Sequence, residues 1–156
     1  MRIISDSEKR TLAIGTKIAG KLKKGSIVCL EGPLGAGKTV IAKGIALGLG
    51  IDGDKVISPT FVLLREYKGK FPLYHFDLYR LNTPQDIANL GYEEYLYGEG
   101  ISVIEWADKL ERLIPQEFLK IRLEVGAQAN KRVLEFSSCG DYYKDILTKI
   151  YESIGH

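Results

Sequence analysis

Gly32-Pro33-Leu34-Gly35-Ala36-Gly37-Lys38-Thr39 satisfies the pattern G-x-x-x-x-G-K-[ST] and closely follows the apolar run Ile27-Val28-Cys29-Leu30. A phosphate chain needs backbone N–H groups turned inward with no Cβ in the way, which Gly32, Gly35 and Gly37 permit. The residues after the loop, Val40-Ile41-Ala42, begin an apolar helix face, so a helix N-terminus adds its positive end to the cradle. In this strand–loop–helix context Ala36 and Gly37 offer backbone donors, Lys38 bridges the β and γ phosphates, and the Thr39 hydroxyl is placed for Mg²⁺.

Working outward, Ile3-Ile4 predicts a short edge strand. Ser5 and Glu8 have capping-box spacing, which opens a helix through about Leu22. Thr11 reads as an exposed helical threonine unless that helix packs beside a ligand. Lys21, Lys23 and Lys24 complement the helix dipole. The helix that begins at the loop runs to about Leu49. Pro59 pushes Ser58 into extended geometry, and a strand over residues 62–67 turns at Lys68-Gly69-Lys70 into Leu73–Asp77. Pro84 opens a helix near Gln85–Leu90. A second apolar strand, Ile101-Ser102-Val103-Ile104-Glu105, follows the acidic, aromatic stretch Tyr92–Tyr97. Ala107–Ile114 reads as helical, Phe118–Val125 and Arg132–Ser137 as a hairpin, and Tyr142–Ile154 as an amphipathic helix whose apolar face is packing. Alternating strand and helix units with two hairpin-like additions predict an α/β fold. The expectation is one P-loop NTPase domain over residues 1–156, with a mostly parallel central sheet, antiparallel additions and flanking helices.

Composition narrows the function classes. The 156 residues are 45% hydrophobic and 27% charged with a net charge of +2, which gives no electrostatic reason for autonomous nucleic-acid or membrane binding. Cys29 and Cys139 lack metal-ligand spacing and read as buried thiols in a reducing cytosol. No run approaches the ~20 apolar residues that span a bilayer, and the expected location is cytoplasmic.

Two carboxylates end the apolar strands, where open α/β sheets bind ligands. A hard cation on a triphosphate wants an oxygen fixed at a strand end beside the phosphate loop. Glu105 follows the more uniformly apolar run, as a buried central strand would, whereas Asp77 follows an alternating run containing His75. Glu105 is therefore assigned to the metal and Asp77 to the water or γ-phosphate region. Ser58-Pro59-Thr60 follows the phosphate-binding helix, so it is either a switch that senses the γ-phosphate or a rigid start to the next strand. His75 reads as a satisfied strand histidine. Arg80 either steadies phosphate or pairs with Asp77. Trp106 is a core residue bracing Glu105.

Gly32–Thr39, Ser58-Pro59-Thr60-Phe61, Tyr74-His75-Phe76-Asp77-Leu78-Tyr79-Arg80-Leu81 and Ile104-Glu105-Trp106, in this order and spacing, resemble the bacterial TsaE (YjeE) family. That family is the ATPase component of tRNA threonylcarbamoyladenosine biosynthesis. The resemblance spans Thr11 to Val133, most of the chain. It implies ATP and Mg²⁺ as cofactors, Thr11 and Arg132 near the nucleotide, Thr39 and Glu105 as Mg²⁺ ligands, and Asp77 and Trp106 in turnover. It also implies two partner proteins, the transferase TsaD and its companion TsaB. These act on the adenosine next to the anticodon of ANN-decoding tRNAs, so tRNA is met indirectly, and ATP hydrolysis resets the complex. Val40 is a departure, since the family commonly has a second threonine there; with Thr39 supplying the metal hydroxyl, little consequence is expected.

Other functions suit the same loop less well. A small-molecule P-loop kinase needs an acceptor pocket and usually a mobile basic lid, and the arginines here are scattered. A GTP switch needs N-K-x-D, and Asn130-Lys131-Arg132-Val133 ends in valine where the base-reading carboxylate belongs. An ATP-dependent binding module without catalysis remains an alternative, with Tyr92–Tyr97 as a docking face.

Overall fold

Three strands of this chain, β2 (Ile27–Glu31), β4 (Leu73–Asp77) and β5 (Ile101–Glu105), carry the loop and the two acids, and they lie side by side. The computed structural model describes residues 1–57 and 63–154. Around these strands it adds β1 (Arg2–Ser5), β3 (Leu64–Tyr67), β6 (Phe118–Val125) and β7 (Arg132–Cys139). The seven-stranded sheet has the order β1-β7-β6-β2-β5-β4-β3. β6, β2, β5 and β4 form a parallel centre, and β1, β7 and β3 attach antiparallel.

β5 is buried along its whole length and β2 over its first four residues, as expected of strands covered on both faces. Their side chains alternate between two hydrophobic clusters. One holds Leu30, Val103 and Ile121 under helices α1 (Glu8–Ala19), α2 (Lys38–Gly48) and α5 (Asp141–Ile154). The other holds Cys29, Phe76 and Ile104 under the short helices α3 (Pro84–Ala88) and α4 (Glu93–Leu96) and the 3-10 stretch Ala107–Leu113.

Several local expectations need correction. The cap of α1 is Ser7, whose side chain accepts the Arg10 N–H; Ser5 instead ends β1, fully buried. α1 stops at Ala19, before Leu22. Residues 107–113 form a 3-10 stretch broken at Glu111 (φ 48°). Cys29 is buried and its thiol is pushed up to about 12, by burial first and then by Glu31. Cys139 is exposed, because in β7 the inward positions are Leu134 and Phe136 and odd-numbered residues face out. Lys24 pairs with Glu99, and Lys23 sits over the Tyr142 ring. No described helix is long and apolar enough to cross a membrane.

α2 is held against α1 by backbone contact. A Cβ on Gly44 would fall 2.2 Å from Leu12 O, and one on Gly15 would fall 2.6 Å from Ile41 O. Thr16 Oγ1 adds a hydrogen bond to Gly44 O at 3.1 Å. Gly44→Ala therefore drives the helices apart and is expected to destabilise the fold by about 2 kcal/mol or more, lowering Tm by roughly 4 °C or more. Gly20→Ala is the control: it has αR geometry (φ −64°) and its Cβ would meet nothing closer than 3.5 Å. Thermal melts of both variants check this, and equal Tm values would refute the close packing.

Candidate functional site

The loop after β2 turns on positive φ at Gly32 (138°), Gly35 (79°) and Gly37 (105°). At Gly32 the constraint is also spatial, since a Cβ there would lie 2.3 Å from Leu123 O of the neighbouring β6. Gly37 is the N-cap of α2 and no side chain caps it. The first N–H groups of this 11-residue helix thus face the loop with their dipole end, the arrangement that attracts an anion. Ala36 is fully buried under the loop.

Lys38 is the first residue of α2 and is 4% exposed. Its Nζ donates to Gly32 O (2.7 Å) and Pro33 O (2.8 Å) and lies 4.1 Å from the centre of the Trp106 ring. Burial draws the ammonium below the usual lysine range, while Glu105, Asp77 and Asp108 act the opposite way. The loop thus contains a partly desolvated cation, held by carbonyls that a phosphate can replace.

Across the cleft, Asp77 and Glu105 are direct neighbours in the β4–β5 register. Both are buried, at 2% and 3% exposure. Thr39 Oγ1 donates to Glu105, 2.9 Å from Oε1 and 3.2 Å from Oε2. His75 Nε2 lies 2.5 Å from Oε2. Asp77 Oδ1 accepts the Tyr79 N–H at 3.0 Å. Hydroxyl and carboxylate oxygens together are the hard donors that Mg²⁺ takes, so Thr39 and Glu105 fit that ion chemically. Among the described residues no three His, Cys, Asp or Glu side chains are grouped to hold a metal. The Thr39 and Glu105 oxygens suit a cation that shares its shell with phosphate and water.

Two clefts flank the loop and share Gly35, Gly37 and Val40. The first, about 310 Å³, adds Lys38, Asp77, Glu105 and Trp106. The second, about 280 Å³, adds Thr11, Arg132, Asn130 and Glu8. Thr11 is 2% exposed, which corrects the expectation of an exposed threonine. Its hydroxyl lies 2.7 Å from Ser5 Oγ and donates to Ser7 O at 3.2 Å, and its methyl lies beside Gly37. Arg132 Nη2 donates to Gly35 O at 3.2 Å, and Nη1 to Ala129 O and Lys131 O. β7 and α1 thus bring Arg132 and Thr11, 121 positions apart in sequence, to one side of the loop.

Trp106 is half-buried and not a core residue. It holds positive φ (60°) directly after β5, lines the cleft, and its ring packs against Tyr79 at 5.0 Å. Arg80 is exposed. Ser58, Pro59 and Thr60 lie outside the described residues. Sequence reading missed Asn130, Tyr79 and the contact between His75 and Glu105. For the last, a signal existed: in a strand His75 shares a face with Asp77. A larger cleft, about 450 Å³, lies at the opposite ends of the strands between Gly25, Tyr97 and Tyr142. It has neither the loop nor the paired acids, and chemistry, not volume, locates the site.

The family model "Threonylcarbamoyl adenosine biosynthesis protein TsaE" matches residues 5–134. The chain is 43% identical over 133 residues to a tRNA threonylcarbamoyladenosine biosynthesis protein TsaE of Treponema pallidum, covering 85% of this chain and 98% of that one. It is 42% identical over 137 residues to the protein of the same name in Bacillus subtilis, covering 87% and 84%. The crystal structure of Bacillus subtilis YdiB is similar throughout. Its TM-score is 0.84 at 33% identity, over 99% of this chain and 96% of that one.

Proposed function

This chain belongs to the TsaE family, and from that premise we propose that it is an ATPase of tRNA threonylcarbamoyladenosine biosynthesis, acting with Mg²⁺ to reset a TsaD–TsaB complex. One observation carries the proposal. The hydroxyl of the residue after the loop lysine meets a buried strand-end carboxylate, Thr39 to Glu105 at 2.9 Å, beside a second carboxylate and inside a phosphate cradle.

The residues divide the work by position. Gly35, Ala36 and Gly37 present backbone donors to the phosphates, and Lys38 leaves the carbonyls of Gly32 and Pro33 to meet them. Thr39 and Glu105 hold the Mg²⁺, whose charge, when bound, neutralises that developing on the phosphate oxygens. Asp77, fixed by the Tyr79 N–H, orients the attacking water. Trp106 covers Lys38 and keeps bulk water from that side of the cleft. Thr11, Arg132 and Val40 bound the cleft on the nucleoside side, and Ser58-Pro59-Thr60 is the segment that senses the γ-phosphate. The family resemblance supplies the partners, with tRNA engaged through the complex.

A reset ATPase does not consume nucleotide unsupervised. Phosphate release by the purified protein is expected to be slow and to rise at least about tenfold when TsaD and TsaB are added, a gain of the size that one completed catalytic contact supplies. Fast release without partners, or stoichiometric phosphate transfer to a metabolite, would replace this reading with the kinase one.

A further inference from the structure

The His75 imidazole lies behind the site, 0% exposed in the core, and has no described path to a substrate. We propose that His75 is a positioning residue that fixes the Glu105 carboxylate in the orientation in which it takes the divalent cation. This inference rests on the reading of Thr39 and Glu105 as cation ligands.

The β4–β5 register creates the contact. His75 stands opposite Val103 and Asp77 opposite Glu105, so all four side chains share one face of the sheet. His75 and Glu105 are diagonal neighbours, a distance that a long side chain bridges. The bridge is His75 Nε2 to Glu105 Oε2 at 2.5 Å. A carboxylate only accepts, so Nε2 is the donor of this hydrogen bond. Nδ1 is buried and has no hydrogen-bond partner among the described residues.

That orphan atom bears on the role of the ring. A buried polar atom without a partner costs about 1–3 kcal/mol, which an aliphatic side chain of similar size would avoid, so packing alone does not account for an imidazole here. What the imidazole supplies and leucine does not is the single N–H aimed at Glu105. Thr39 has a single hydroxyl proton, nearer Oε1 (2.9 Å) than Oε2 (3.2 Å), so His75 is the donor that holds Oε2. Among the described residues Thr39 is the donor on Oε1, and that oxygen keeps an acceptor position for a cation. Without the His75 donor the carboxylate can rotate and lose that distinction. Outer partners of this kind typically change metal affinity by about 10–100-fold.

The test reads cation binding, not turnover. Trp106 is the only tryptophan and lies in the cleft, so its emission can follow Mg²⁺ titrated into ATP-saturated protein, with ATP affinity in EDTA measured alongside. His75→Leu should raise the Mg²⁺ midpoint about tenfold or more and leave ATP affinity in EDTA unchanged. His75→Gln, whose amide reaches the Nε2 position, should restore the midpoint, and His75→Asn, which is too short, should not. A wild-type midpoint in His75→Leu overturns the proposal. If His75→Leu does not fold, equal midpoints for the Gln and Asn variants overturn it instead. Glu105→Gln separates the two layers. If it shifts the midpoint while the histidine variants do not, only the role of His75 fails; if Glu105→Gln also leaves the midpoint unmoved, the cation-ligand reading fails and takes this one with it.

Discussion

Lys38→Ala is expected to lose ATP affinity by at least about a hundredfold. Two charge-assisted hydrogen bonds to phosphate, at about 1.5–3 kcal/mol each, account for a loss of that size or larger. The structure sharpens the expectation because, among the described residues, Lys38 is the cation that lines this cleft: its Nζ sits between the loop carbonyls and the Trp106 ring, Lys109 Nζ lies farther from that ring at 5.9 Å and donates to the Tyr79 and Leu81 carbonyls, and Arg132 lies on the other cleft. Lys38→Arg should not restore binding, since a planar guanidinium does not fit a pocket built around a compact ammonium. Stability should move far less than affinity, because removing a desolvated charge offsets the loss of its two carbonyl contacts. Val40→Thr serves as the mild comparison: Val40 lines both clefts, yet Thr39 already holds the hydroxyl position, so affinity should stay within about twofold, as for a surface change that makes no charged contact. Isothermal calorimetry with ATP decides. Wild-type binding by Lys38→Ala would defeat the assignment of the loop as a triphosphate cradle.

The legible parts of this molecule are those where one physical constraint acts on consecutive residues. The loop glycines, the continuous apolar runs of β2 and β5 and the alternation of β6 each write a local pattern, and Phe118–Val125 is read with its observed limits. The placement of Asp77 and Glu105 at strand ends follows from the same patterns. Contacts fixed only by tertiary register are not legible. Ser5 and Ser7 both suit a cap, and β1 pairing with β7 decides between them by burying Ser5. That burial in turn brings Ser5 to Thr11, which hides a threonine that helix position alone leaves exposed. His75 has a period-2 relation to Asp77 in sequence, but its partner Glu105 is 30 residues away and is found only through the parallel pairing of β4 with β5. Trp106 misleads for a related reason. Tryptophan is commonly buried, but the positive φ at this one carries the chain out of β5 and turns the ring over Lys38.

The two acids should part company when each is replaced by its amide. They are neighbours in register, so position alone does not separate them, but their hydrogen bonds do. Glu105 accepts from the Thr39 hydroxyl and from His75 Nε2. In Glu105→Gln one oxygen becomes an NH₂ group, which the Thr39 hydroxyl can turn to accept but the His75 N–H cannot. The lost charge and the lost acceptor both fall on the cation, so the tightening of ATP by Mg²⁺ should weaken by about tenfold or more. Asp77→Asn keeps an oxygen for the Tyr79 N–H and touches neither Thr39 nor Glu105 in the hydrogen bonds that hold those two together. Mg²⁺ and ATP should bind it nearly as they bind the parent chain, while partner-stimulated phosphate release falls by roughly two or more orders of magnitude, the loss expected when the group that orients or activates the attacking water goes. Trp106 emission during ATP titrations with and without Mg²⁺ reports the first property, and phosphate release in the presence of TsaD and TsaB reports the second. If Asp77→Asn abolishes the Mg²⁺ dependence and Glu105→Gln retains it, the roles are exchanged: the cation belongs to the strand that also carries His75, and Glu105 acts on the water.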